Sequence, residues 1–215
     1  MDNKIKKFQK AFIIFTIAQI FIILGLLEYG SQIKAISNWM ELFIFAELIG
    51  CILMVISATM LVSYNKNYFY LFVTAIIEPF LIIISVIAGE SVEDFTVAWG
   101  KGLTITTDVL LCLVYVYFFL GTRDYFSETD LAKNVNRSKV GFLVIVISTI
   151  AINLLNFVRT FSFVKTNYIV ASILRYGTLA LKFGMYTFIF VILLLIVINM
   201  QKKRKEKQLD VKEEQ

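Results

Sequence analysis

Residues 183–200 read FGMYTFIFVILLLIVINM, and residues 201–205, which follow directly, read QKKRK. The first stretch has 18 residues and no charge, and a helix needs about 20 apolar residues to cross the hydrocarbon core of a bilayer. The second stretch is a basic run of the kind that follows a membrane span on the cytoplasmic side. Together they predict a transmembrane helix, and the rest of the chain repeats this pattern.

The whole chain is more apolar than a soluble domain. Of its 215 residues, 59% are hydrophobic and 17% are charged, whereas soluble domains have about 45–50% apolar and about 25% charged residues. One globular core of this size cannot bury so many apolar residues, so the excess must face lipid. We therefore predict an all-α, polytopic transmembrane helical bundle, which lies in the cell membrane and has the lipid bilayer as its main partner.

Six apolar runs are long enough to span a bilayer. Their predicted bounds are about 11–27, 39–62, 68–88, 102–120, 140–158 and 178–200, and a charged tail covers 201–215. Because the loops between them are short, we predict a single domain. The region before the last span is ambiguous, since residues 168–200 would form a helix of roughly 50 Å against about 30 Å of hydrocarbon.

Two interpretations of that region remain. We favour an interfacial or re-entrant segment over 167–175, with a break near Gly177 before the last span. The alternative is a seventh span over 167–183. The loop 121–139 is also open, as either a short amphipathic helix on the membrane or a solvated connector.

The basic residues favour six spans with both termini in the cytoplasm. With six spans, 15 Lys and Arg residues lie on the side of the termini and 6 lie on the other side. The positive-inside rule therefore predicts cytoplasmic termini, which require an even number of spans. The net charge of +5 is mainly tail and loop charge near anionic lipid, so we predict no nucleic-acid partner.

The residue types exclude several chemistries. The chain has no histidine, which excludes Ser-His-Asp and Cys-His nucleophilic systems and a three-His zinc site. It has no Gly-x-Ser-x-Gly elbow, no phosphate-binding loop and no potassium-channel filter motif. Cys51 and Cys112 both lie within predicted spans, so a disulfide framework is not expected. We predict no enzymatic activity, no cofactor and no metal site.

Three acidic residues, Glu47, Glu78 and Asp108, lie within predicted spans, where a charge costs several kcal/mol unless it is paired, hydrated or neutralised. Glu78 is the deepest, and it precedes Pro79, which frees a backbone carbonyl and kinks the helix. One interpretation is a protonated Glu78 bonded to such a carbonyl, and the other is a functional carboxyl. In the resting protein we expect Glu78 to be neutral at pH 7.

Polar residues on the last two spans complement these acids. They are Asn153, Asn156, Arg159, Arg175 and Lys182. Such residues commonly bond neighbouring helices, and Lys182 has the alternative of extending to the outer surface. Because unpaired charges are costly in lipid, we predict that the acids and the basic residues meet at a charged centre in the outer half of the bilayer.

Two functions follow from these residues. In the first, a small solute or ion binds at the charged centre or crosses the membrane there. In the second, the protein is an accessory, immunity or sensor subunit that acts through contacts with a membrane protein partner or with a second copy of itself. The small size favours the second function. The charges favour the first, which is our main prediction.

Overall fold

The computed structural model describes residues 2–26, 40–91, 97–129, 131–159, 161, 164 and 166–213. Within these residues the chain forms helices and no strands. The helices are α1 (Asp2–Gly25), α2 (Met40–Leu61), α3 (Lys66–Ser91), α4 (Val97–Ser127), α5 (Ala132–Val158) and α6 (Tyr168–Glu213). Each of these six contains an apolar segment long enough to cross a bilayer. The prediction of an all-α bundle of six membrane-spanning helices is therefore confirmed.

The helices pack in chain order and the last one returns to the first. Each helix contacts the next along the chain, and α6 packs against α1. Side chains hold α1 to its neighbours: Ser57 Oγ of α2 donates to the carbonyl of Ala11 at 2.8 Å, and Tyr115 Oη of α4 donates to Gln19 Oε1 at 2.6 Å. These bonds connect α1 to α2 and to α4.

The start of α1 and the part of α6 near Arg204 lie at one end of the bundle. Near the start of α1, Phe8 stacks on Tyr125 of α4 with ring centroids 3.7 Å apart. Arg204, near the end of α6, donates to Gln9 Oε1 at 3.4 Å. We call this the basic end, because it carries Lys6, Lys7, Lys10, Lys66, Arg123, Lys133, Arg137, Lys139, Lys202, Lys203 and Arg204.

Glycine allows α1 and α2 to approach closely. A Cβ added to Gly25 would lie 2.6 Å from the Cβ of Glu47, and one added to Gly50 would lie 2.9 Å from Cδ1 of Ile22. Small residues at membrane helix interfaces let two backbones come together. A larger side chain at position 25 would therefore push Glu47 and its helix away from α1.

The structure of α6 differs from the prediction for the C-terminal part of the chain. It runs for 46 residues through Gly177 without a break, so the predicted break is wrong. Neither a separate segment over 167–175 nor a seventh span forms there. A glycine in a helix interior costs only about 1 kcal/mol, which is too little to break a long apolar helix. At roughly 69 Å, α6 is longer than the hydrocarbon core, and it carries the predicted charged tail onward as helix to Glu213.

The predicted loop 121–139 is also largely helical. α4 continues to Ser127 and α5 begins at Ala132, so only 128–131 separates them. Leu131 precedes α5 without a side-chain cap. The length of an apolar run predicts which part of a helix crosses lipid. It does not predict the residue at which the helix ends.

Candidate functional site

Lys182 of α6 and Asp108 of α4 form an ion pair inside the bundle. Lys182 Nζ lies 2.7 Å from Asp108 Oδ1, and the two side chains are 8% and 13% exposed. Lys182 therefore turns inward to an acid and does not extend to the membrane surface. The pair joins two helices that are not consecutive in the chain.

Glu78 of α3 lies near this pair and is 2% exposed. Neither of its carboxyl oxygens has a hydrogen-bond partner, and Asp108 Oδ2 also lacks one. The predicted bond from Glu78 to a carbonyl freed by Pro79 is therefore not formed. The carboxyls of Glu47 and Asp108 lie within electrostatic reach of Glu78. Since buried polar groups in folded proteins are nearly always bonded, Glu78 is an exception that requires an explanation.

Two further helix faces complete this group. Gln19 of α1 is fully buried, and its Nε2 has no partner, although its Oε1 accepts the bond from Tyr115. The rings of Tyr115 and Tyr186 lie 5.8 Å apart, and Tyr186 is within electrostatic reach of the three acids. We call this group the polar centre and define it by Gln19, Glu47, Glu78, Asp108, Tyr115, Lys182 and Tyr186.

The polar centre lies in the half of the bundle that is remote from the termini. Glu78 is 12 residues after Lys66, which places it roughly 18 Å from the basic end along the helix. Lys182 precedes Lys202 by 20 residues, or roughly 30 Å. If the basic end faces the cytoplasm, the centre occupies the outer half of the bilayer.

The other predicted site residues are placed differently. Asn153 Nδ2 donates to the carbonyl of Thr149 at 2.9 Å, and Arg159 Nη1 donates to Asn156 Oδ1 at 3.5 Å. These bonds stay within α5 and its end. Arg175 is half-buried on α6. The participation of these four residues in ligand binding stays a prediction.

Three members of the centre, Tyr115, Tyr186 and Gln19, were not predicted as site residues, and Gln19 is the least obvious of them. It lies in an apolar run that reads as a simple membrane anchor, and an amide there costs less than a charge. Its pairing with Tyr115 depends on the approach of α1 to α4, which are far apart in the chain. The available clue was that Thr16 and Gln19 are three residues apart and share a helix face.

The chemistry of the centre is that of an oxygen-rich, acidic site. Its members supply three carboxyl groups against one ammonium group. The polar atoms without partners include three carboxyl oxygens and one amide nitrogen. Among the residues that the structure describes, no three acidic or cysteine side chains are grouped to hold one metal ion.

The chain was compared with protein-family models, with curated proteins and with solved structures, and none of the three comparisons found a match.

Proposed function

We propose that this membrane protein binds a small monovalent cation at the polar centre, as the binding step of an ion or solute transporter in the cell membrane. The environment of Glu78 supports this proposal. Lys182 neutralises Asp108 at 2.7 Å, and the nearby carboxyl of Glu78 is buried without a hydrogen-bond partner.

The proposal depends on one observation, which is that the buried carboxyl of Glu78 makes no hydrogen bond. An ionised carboxylate buried without a hydrogen bond is very costly, and such groups become neutral or acquire a positive partner. Both oxygens of Glu78 are buried and unbonded, so a bound cation would supply the interactions that the protein itself does not make. Hard cations, to which Na⁺ and K⁺ belong, prefer oxygen ligands such as carboxylates and carbonyls.

The stabilisation of the protein by salts tests the binding step. The thermal midpoint of purified protein in detergent is measured against NaCl and KCl, with choline chloride holding the ionic strength constant. We expect a saturable rise with one of the two cations, since a ligand at 100 times its Kd stabilises by about 2.7 kcal/mol.

Glu78→Gln should abolish this rise, and Glu128→Gln should leave it unchanged. The second variant makes the same substitution at an exposed carboxyl beyond the end of α4. The absence of a cation-specific rise in the wild-type protein would contradict the proposal and favour the accessory or sensor function.

Flux separates transport from sensing. Liposomes that contain the protein should take up the cation that stabilises it. Glu78→Gln should reduce this uptake to the level of liposomes without protein. A protein that binds the cation without any flux would be a sensor rather than a transporter.

We propose that the basic end lies in the cytoplasm, because the positive-inside rule favours basic residues on that side. Ser91→Cys and Ser127→Cys, each in a background without Cys51 and Cys112, test it with an impermeant thiol reagent on intact cells. Residue 91 ends α3 and residue 127 ends α4, so they lie at opposite ends of the bundle. Residue 91 should react from outside, and residue 127 only after permeabilisation. The reverse pattern would overturn this orientation.

A further inference from the structure

Lys182 occupies a buried, polar position on α6. One turn to either side of it on the same face lie Thr178 and Tyr186, which are 6% and 4% exposed. The ammonium thus reaches Asp108 from within the bundle. A lysine carries its charge on a flexible four-carbon stem, so the ammonium can move by several Å without any movement of the backbone.

Stability alone does not account for this ion pair. Replacing a buried ion pair with apolar residues of similar volume is often neutral or stabilising, because the pair must first lose its hydration. Here the pair also leaves Asp108 Oδ2 unbonded, and the nearby carboxyl of Glu78 has no partner. A pair that served packing alone would be expected to leave fewer buried oxygens unsatisfied.

The pair also joins α4 and α6 by side chains. Besides the bond from Lys182 to Asp108, these helices meet where the rings of Tyr115 and Tyr186 lie 5.8 Å apart. Because the helices meet through side chains here, we expect the ion pair to open by a rotamer change of Lys182.

We propose that the ammonium of Lys182 is a tethered competitor of the bound cation. It occupies the position beside Asp108 when the centre holds no cation, and it leaves Asp108 when Na⁺ or K⁺ binds. This inference rests on the proposed function, and it adds that one of the positive charges that the centre accommodates belongs to the protein itself.

Two substitutions of Lys182 change the competition in opposite directions. Lys182→Gln removes the positive charge but keeps a donor for Asp108, so the cation should bind at least about tenfold more tightly. Lys182→Arg keeps a permanent charge that binds a carboxylate through two parallel bonds, so the cation should bind at least about tenfold more weakly. Lys133→Gln removes an exposed lysine at the basic end and should leave the Kd unchanged.

The Kd for Na⁺ and for K⁺ is measured by titration at fixed pH, with choline chloride as the balancing salt. Tighter binding by Lys182→Gln together with weaker binding by Lys182→Arg supports the competition. Loss of binding in Lys182→Gln with a normal Kd in Lys182→Arg would overturn it, because Lys182 would then be a residue that positions the site.

The two proposals fail in different ways. If the wild-type protein binds neither cation, the proposed function fails and the competition fails with it. If the wild-type protein binds a cation, only the competition is at risk. Where Lys182→Gln does not fold, Lys182→Arg decides the matter, since an unchanged Kd in that variant contradicts the competition.

Discussion

The basic end and the polar centre both contain buried polar side chains, but these side chains differ in their hydrogen bonding. At the basic end, Tyr68 Oη lies 3.1 Å from Thr122 Oγ1, and Asn65 Nδ2 donates to the carbonyl of Gly121 at 2.9 Å. In the polar centre, both oxygens of Glu78 are unbonded. Single atoms at the basic end also lack a partner, such as Asn134 Nδ2 and Arg204 Nε, but these residues are bonded through other atoms. Glu78 differs because no polar atom of its side chain is bonded, and this difference is the basis of the proposed ligand site.

Packing differs in the same way. An aromatic layer next to the basic end consists of Phe8, Phe12, Phe15, Phe118, Tyr125 and Phe126, which are joined by ring contacts such as the stacking of Phe15 on Phe118 at 3.8 Å. This layer holds α1 against α4. The polar centre lies on the remote side of the layer, so the proposed ligand site is separate from these aromatic contacts.

We expect the largest loss of stability from a substitution in the aromatic layer. Phe118 is fully buried, so Phe118→Ala should lower the free energy of unfolding by about 3–5 kcal/mol through lost contacts and a cavity. Phe45→Ala is the control, because Phe45 is 60% exposed on α2 and faces lipid. Denaturant titration in detergent measures both, and equal losses would show that the layer does not stabilise the fold.

Replacing one partner of the ion pair between Lys182 and Asp108 should cause the second largest loss of stability. Lys182→Met leaves Asp108 buried and uncompensated, at a cost of about 3 kcal/mol, and Asp108→Asn should behave similarly. The double variant should be less destabilised than the sum of the single variants. Strict additivity, measured as thermal stability in detergent, would mean that the two groups do not interact.

A bonded polar group at the basic end should show a smaller effect. Tyr68→Phe removes one hydrogen bond to Thr122 and should cost about 1 kcal/mol. Thr122 keeps its bond to the carbonyl of Phe118 at 2.6 Å, so no buried group is left unsatisfied. A loss as large as that of Phe118→Ala would show that the hydroxyl contributes more than one bond.

The smallest effect on stability is expected at Glu78. Because its carboxyl makes no hydrogen bond, Glu78→Gln should change the free energy of unfolding in choline chloride, without Na⁺ or K⁺, by less than about 0.5 kcal/mol and should express normally. Glu78→Lys, which places a second ammonium in the centre, should express poorly. Equal loss of expression in both variants would show that the fold needs a charged, paired Glu78.

The sequence predicted the parts of the fold that depend on hydrophobic length. Six apolar runs correspond to six helices because each must match the thickness of a bilayer. The continuity of α6 through Gly177 was not predictable in this way. A helix ends where its backbone bonds end, and the apolar pattern does not report that position.

The candidate site was predictable where charge is costly. Glu78, Asp108 and Lys182 were identifiable because each is expensive in lipid unless it has a partner. Gln19 was not, since an uncharged amide in an apolar run is compatible with ordinary helix packing. Its place in the centre depends on the contact between α1 and α4, and helical spacing within one segment contains no information on which helices meet.

An experimental structure of the protein in NaCl or KCl, whichever stabilises it, compared with one in choline chloride, tests the central claim most directly. In the metal salt we expect a cation in contact with a carboxyl oxygen of Glu78, and Lys182 Nζ displaced from the 2.7 Å contact with Asp108. In choline chloride the site should hold no metal cation and the ion pair should be closed. The same ion pair in both salts, with Glu78 bonded to a backbone carbonyl beside Pro79, would contradict the claim.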